Sequence, residues 1–316
     1  MSADSAERRE PQTPLKAALP ELDAGMTVSD AFAAIARSEL EHLRGNEQGV
    51  LDGNDPEFLH QMRVALRRLR SALSAFSSAL PQAAREPVAK DLKWLGGALG
   101  PARDWDVFMT ETLPGMREAL GARAGLDTLT AECERLRSEA QRRTRRTIRS
   151  PRYHRVVTAT ASWLSLQDWR VHADGDSAAR LDAPIRGFAQ AELERRYERV
   201  RKRGRKLGQL TGDELHKLRI AVKKMRYSID FFASLFEGEA VGALRSRLSR
   251  LQDVLGTIND AATSGRLAEG ALGDTRAAAA AEARGILLGW GAGSADALRG
   301  ELDRRWKAFR RSETFW

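Results

Sequence analysis

The chain has 316 residues, with 52 lysines and arginines against 43 aspartates and glutamates, a formal net charge of +9 that points to an anionic partner. Apolar residues at 42% support a folded core, and the length suits one large domain or two ordinary ones. No apolar run approaches the roughly 18–20 residues that cross a bilayer, so no membrane partner is expected, and the lone Cys133 excludes a disulfide framework and a Cys-rich zinc site.

Ala, Leu, Arg and Glu dominate, alternating β-type stretches are scarce, and the fold class reads as all-α. Residues 1–19, with Pro11 and Pro14, read as a mobile tail. A first unit is expected over 20–170. In it Thr27 or Ser29 caps a helix reaching about Arg44, and Gly45 ends it. Asp55-Pro56 supplies cap and first turn for a helix through about Ala79, closed by Pro81. Gly100-Pro101 is expected to interrupt a third helix, and a long fourth runs from about Leu126 to Leu166 with a bend at Pro151. A polar linker follows over 171–180. The second unit, 181–316, repeats the pattern, with Gly256 interrupting its third helix and a shorter fourth. Each unit reads as a bundle of about four helices. The N-terminus lacks a basic segment followed by an apolar one, so no secretory signal is expected and a reducing cytoplasm is the expected setting.

An internal duplication organises the chain. His60-Gln61-Met62-Arg63-Val64-Ala65-Leu66-Arg67-Arg68-Leu69-Arg70 aligns with His216-Lys217-Leu218-Arg219-Ile220-Ala221-Val222-Lys223-Lys224-Met225-Arg226 at an offset of 156 residues. Leu92, Leu95, Leu99, Gly100 and Asp104 fall on Leu248, Leu251, Leu255, Gly256 and Asp260 at the same offset, and Phe32-Ala33 falls on Phe188-Ala189.

At about 100° per residue, His60, Arg63, Arg67 and Arg70 share one helix face, while Met62, Ala65, Leu66, Leu69, Leu73 and Phe76 share another. His216, Arg219, Lys223 and Arg226 repeat the layout, and Arg68 and Lys224 stand apart from both faces. Each copy thus builds a ladder of positive charge about 15 Å long on a helix anchored by its other face. No acid occurs in either block, although like charges three and four apart cost an isolated helix a few tenths of a kcal/mol per pair. A face that accepts this cost twice is expected to meet a polyanion, and the planar fork of arginine suits phosphate oxygens. His60 and His216 read as phosphate-facing donors; the plainer alternative is a helix-start histidine bonded to backbone or carboxylate. No metal site is expected, since neither has a cysteine partner or a second histidine at i+3 or i+4.

Asp104 and Asp260 close the block L-x-x-L-x-x-x-L-G-x-x-[RN]-D and admit two readings. One is a buried carboxylate that orients an arginine or histidine of the neighbouring helix; the other is a cap on the segment after Gly100-Pro101 or Gly256. Three further basic stretches extend the charge. The run from Arg195 to Lys206 holds eight cations and one acid, and Arg199, Lys202, Arg203, Arg205 and Lys206 within it are possible additional contacts. The span from Arg142 to Arg155 holds seven arginines and no acid, and Arg304, Arg305, Lys307, Arg310 and Arg311 cluster near the end.

At its two H-x-Φ-R-Φ-A-Φ-[RK]-[RK]-Φ-R blocks, and in the L-G-x-x-[RN]-D blocks, the chain resembles the CHAD family, the conserved histidine α-helical domain. The resemblance extends over about residues 20–316. It implies two tandem, pseudo-symmetric four-helix bundles enclosing a central basic groove or pore. It further implies binding of inorganic polyphosphate at polyphosphate granules, without catalysis and without a cofactor. Carried to matching positions, the ligand residues are His60, Arg63, Arg67, Arg70, His216, Arg219, Lys223 and Arg226. The second copy departs from the first in having Lys223 and Lys224 where the first has arginine. Glu192-Leu193-Glu194-Arg195-Arg196 approximates the E-x-E-x-K string of the CYTH triphosphatases often fused to CHAD domains, but it falls in an expected helix and ends in arginine.

Two other function classes are open to so basic a chain. Nucleic-acid binding is the alternative, though aromatics are only 6% and no helix-turn-helix, zinc-finger or RRM signature occurs. An enzyme acting on phosphorylated substrates is not expected, because no G-x-x-x-x-G-K-[ST], H-E-x-x-H or G-x-S-x-G string is present.

Overall fold

The computed structural model describes residues 13–53, 55–273 and 278–316. Among them the secondary structure is helical, apart from one isolated antiparallel bridge between Thr27 and Pro184. No helix among the described residues is long and apolar enough to cross a membrane.

Helix α1 (Val28–Gly45) starts where the Thr27 side chain accepts from the Asp30 N–H, and its buried face carries Phe32, Ile35, Ala36, Leu40 and Leu43. After the short α2 (Glu47–Asp52), Asp55 caps α3 (Pro56–Ala75), with Pro56 in the first turn as its fixed φ favours. Helix α4 (Gln82–Val107) runs through Pro87 and Pro101, so the expected break at Gly100-Pro101 does not occur. Leu92, Leu95, Leu99, Ala102 and Trp105 are buried on both sides of the proline, and that shared burial outweighs the roughly 3 kcal/mol a helix-interior proline costs. Regularity is lost later, in a π-helical turn at Phe108–Thr112 that leads into α5 (Leu113–Leu120).

The long fourth helix expected in the first unit is two helices, α6 (Ala124–Ile148) and α7 (Pro151–Ser165). Ser150 accepts from the Tyr153 N–H and starts α7 anew, so the chain breaks at Pro151 rather than bending. Part of the stretch expected as linker is helical too. Asp174 and Ser177 form a reciprocal capping box that opens α8 (Gly175–Asp182).

In the second half α9 (Ile185–Arg203) is followed by α10 (Gly212–Phe232), which opens on a Thr211–Glu214 capping box. Helix α11 (Glu239–Leu272) passes Gly256 uninterrupted, against expectation, because a lone helical glycine costs only about 1 kcal/mol while Leu248, Leu251 and Leu255 are buried around it. Helices α12 (Ala278–Ala297) and α13 (Arg299–Arg310) complete the chain. Glu192 lies buried in α9, paired with Arg195 at 2.7 Å and with Arg196, so the E-x-E string is spent on the helix itself.

One hydrophobic cluster draws on both halves of the sequence. The repeat also governs contact between its copies. Phe76 and Phe232, equivalent at the 156-residue offset, face each other with ring centroids 5.8 Å apart. Arg68 bonds to Asp230 at 3.2 Å, and their equivalents Lys224 and Ser74 meet at 3.4 Å. Such reciprocal pairs relate α3 and α10 by a local two-fold. Residues 1–12 of the expected tail lie outside the described residues; Leu15 and Asn46 exchange hydrogen bonds of 3.1 and 3.0 Å.

Candidate functional site

Helices α3 and α10 bury their apolar faces, with Met62, Leu69, Leu218, Val222 and Met225 inaccessible to solvent. That burial fixes the rotation of each helix and presents the ladders on one side. His60, Arg63 and Arg67 are half-buried and Arg70 is exposed; Arg219, Lys223 and Arg226 are half-buried and His216 is exposed.

The neighbouring α4 and α11 shape these side chains. Arg63 pairs with Asp104 at 3.5 Å, and its equivalent Arg219 pairs with Asp260 at 3.6 Å. Both aspartates lie inside helices, which removes the capping alternative; they pair with ladder arginines as expected but are half-buried rather than buried, at the edge of the core. Glycine makes room on α4. A Cβ at Gly100 would stand 3.2 Å from Arg63 Nη1, and one at Gly96 would stand 3.3 Å from Arg70 Nη1, so both guanidinium groups lie against bare backbone. On α11 the corresponding support for Arg226 is Gln252, which accepts from Nε at 3.0 Å.

The histidines differ. His216 Nδ1 meets Asn259 Oδ1 at 2.6 Å, while Asn259 Nδ2 donates to Asp260 Oδ1 at 3.1 Å. Asp260 thus orients the Asn259 amide so that its oxygen meets the His216 ring at Nδ1, which fixes the ring's position. The residue equivalent to Asn259 is Arg103, 3.6 Å from Glu111. Burial, and then Arg103, push the His60 imidazole down to about 4, with Arg67 and Arg63 adding to the effect. His60 is therefore neutral in the free protein at pH 7.

The two ladders share one electrostatic field. Burial, then Arg219, then Arg67 lower the Lys223 ammonium to about 7. Arg67 also acts on Arg219, whose guanidinium burial holds below its ordinary value. Burial raises the Asp104 carboxyl, Arg63 opposes that rise, and Asp260 adds to it, which places the two carboxylates in one neighbourhood. His60 Nδ1, Arg63 Nε, Arg67 Nε and Arg219 Nε are buried with no hydrogen-bond acceptor among the described residues. An unsatisfied buried donor costs about 1–3 kcal/mol, which sets these three guanidinium Nε–H groups apart as donors the fold leaves without an acceptor among the described residues.

Arg68 and Lys224, set apart by their helical angle, are not ladder members. Arg68 is buried between Glu39 at 2.6 Å and Asp230 at 3.2 Å, and Lys224 meets Ser74. The possible additional residues Arg199, Lys202, Arg203, Arg205 and Lys206 are brought together, but around a separate recess that no ladder residue lines. The other basic stretches serve the fold in part. Arg152 lies over the Trp94 ring at 4.1 Å, Arg143 pairs with Glu139, and Arg304 and Arg305 both pair with Glu301. Arg103 and Asn259, which stand beside the histidines, were visible in the sequence only as the variable position of L-G-x-x-[RN]-D. Among the described residues no group of three or more His, Cys, Asp and Glu is placed to hold a metal ion.

Comparison with known proteins matches the CHAD domain family model over residues 34–269. The crystal structure of the CHAD domain from the plant Ricinus communis is 33% identical, covers 96% of this chain and 98% of its own, and superimposes with a TM-score of 0.80. PptA from Streptomyces chartreusis, 18% identical over 89% of this chain and 100% of its own, shares the fold at a TM-score of 0.68. No curated protein matches the chain. Two histidine-headed basic helices, each backed by a leucine–glycine–aspartate helix, together with these likenesses, show that the chain belongs to the CHAD domain family.

Proposed function

We propose that this protein is a non-catalytic binder of inorganic polyphosphate, held between the facing ladders of α3 and α10 by His60, Arg63, Arg67, Arg70, His216, Arg219, Lys223 and Arg226. The observation that carries the reading is the set of buried nitrogens without a partner among the described residues, His60 Nδ1 and the Nε atoms of Arg63, Arg67 and Arg219, which lie in both copies of the repeat. The charge of the three arginines is placed by the fold and answered only in part: Asp104 pairs with Arg63 and Asp260 with Arg219. A flexible chain of phosphates supplies acceptors at closely repeated intervals and needs no base-reading groups, in keeping with helices that present few exposed aromatics. Membership of the CHAD family supports the same ligand class. We assign the two repeats to two pseudo-symmetric bundles around the basic groove, and the cellular setting to cytoplasmic polyphosphate granules.

The test is binding of long-chain polyphosphate to Arg63→Ala/Arg67→Ala/Arg219→Ala/Lys223→Ala, with helicity followed by circular dichroism. Loss of binding with helicity retained is expected; retained affinity places the ligand elsewhere. Competition at equal charge concentration separates this ligand from nucleic acid, and release of phosphate in the presence of Mg²⁺ or Mn²⁺ would show an enzyme instead.

A further inference from the structure

The C-terminal end of α9 and the turn after it carry a second concentration of charge. Arg199, Lys202, Arg203, Arg205 and Lys206 surround a recess of about 530 Å³. All five are exposed, and none has an ion-pair partner among the described residues, whereas Arg195 and Arg201 of the same helix pair with Glu192 and Glu198 at 2.7 and 3.0 Å. The one acid lining the recess, Glu214, is engaged in capping α10, where it accepts from the Thr211 N–H at 2.8 Å. One carboxylate against five cations leaves the corner strongly positive. Some of this charge relieves the negative C-terminal pole of α9, but five cations exceed what that pole requires.

Beside the recess lies a surface of opposite character. Leu210 lines both the recess and a slot of about 240 Å³ walled mainly by Leu207, Leu215, Ile258 and Leu302, whose lining also includes Arg299 and Asp303, the latter paired with Lys307 at 2.6 Å. The slot is held in shape by α13. Trp306 packs so closely on Gly204 that a Cβ there would stand 2.2 Å from the indole, which keys α13 to the end of α9. An aliphatic slot has no use for polyphosphate, which has no apolar part. A length of polypeptide with several carboxylates and one or two aliphatic side chains satisfies both surfaces at once.

We propose that this corner is a docking site, separate from the ladders and independent of their ligand, for an acidic segment of a partner protein anchored by aliphatic side chains in the Leu210 slot.

The test is a fluorescence-anisotropy titration of the full chain with a labelled peptide of Glu and Asp carrying two leucines four positions apart, beside a twin with serines in place of leucines. The leucine peptide is expected to bind about tenfold tighter than its twin, as burial of aliphatic surface demands. Leu210→Ser should erase that preference, Lys202→Ala/Lys206→Ala should weaken both peptides about tenfold, and Arg63→Ala/Arg219→Ala should leave both unchanged. The lysine variant alters only exposed side chains and keeps the test valid should Leu210→Ser disturb folding. Equal binding of the two peptides, or loss of binding in the ladder variant, overturns the proposal. So does failure of both peptides alongside binding of anionic lipid vesicles that requires Lys202 and Lys206, which would assign the surface to membranes.

Discussion

Arg68 on α3 and Asp230 on α10 form a buried ion pair at 3.2 Å that joins the first copy of the repeat to the second. Glu39 takes the Arg68 Nε at 2.6 Å, and the guanidinium lies over the rings of Tyr227 and Phe231 at 5.6 and 5.2 Å. Asp230 in turn faces Arg245 at 2.8 Å and Arg226 at 4.0 Å. Removing Arg68 takes the guanidinium from the buried Glu39, which then has His42 3.8 Å away, while Asp230 keeps Arg245. Arg68→Ala is therefore expected to destabilise the fold by about 3–5 kcal/mol, read by urea denaturation. A change within about 0.5 kcal/mol would show that the network contributes nothing to the fold.

The reciprocal contact is weaker, because Ser74 stands where Asp230 would be matched. Lys224 and Arg196 both approach Ser74, at 3.4 and 3.5 Å, and burial depresses both cations. Ser74→Asp places a carboxylate between them. We expect a gain of about 1 kcal/mol, or roughly 2 °C in Tm. A fall in Tm would mean that desolvation of the new carboxylate exceeds its attraction to the two cations.

Lys223 gives binding a dependence on pH. In the free protein its ammonium is lowered to about 7 by burial, Arg219 and Arg67, and a bound polyanion favours its protonated form. Above pH 7 the free protein must take up a proton on binding, so polyphosphate affinity falls as pH rises from 7 to 9. Stability of the free protein runs the other way. The unfolded chain keeps this proton up to about 10.4, binds more protons than the native state across that window, and so loses ground as pH rises. Lys223→Arg should flatten the affinity profile; an unchanged slope by calorimetry at several pH values would remove Lys223 from the effect.

Arg103 holds the place that Asn259 holds beside His216, and makes the half-site around His60 more positive. Arg103→Ala is expected to raise the His60 pKa from about 4, visible by NMR titration. It should also reduce the salt slope of polyphosphate binding by about 0.7–0.9 if Arg103 contacts the ligand. A moved His60 with an unmoved slope would make Arg103 a positioning residue only.

The two eleven-residue blocks declared the duplication, the buried faces of α3 and α10, and the ladder residues, because helical periodicity sorts side chains by angle before any partner is known. The cap at Asp55 was legible for the same local reason, and of the two candidates Thr27 and Ser29 the structure uses Thr27. Where local signals met long-range packing, packing prevailed. Gly100-Pro101 and Gly256 read as breaks, yet α4 and α11 pass through them because leucines on both sides enter one core.

Sequence by itself determined the all-α class, the repeat and which cations share a face, since these depend on residue type and a fixed helical period. Tertiary structure decided what each charge meets. Arg63 and Arg219 are aimed by Asp104 and Asp260, Arg68 is withdrawn into an ion-pair core, and Arg67 acts on Lys223 across the ladders. A net charge of +9 is a sum that any arrangement satisfies. Burial and neighbours, which depend on the packing of distant segments, separate the cations spent in ion pairs within the core from those that line the ladders.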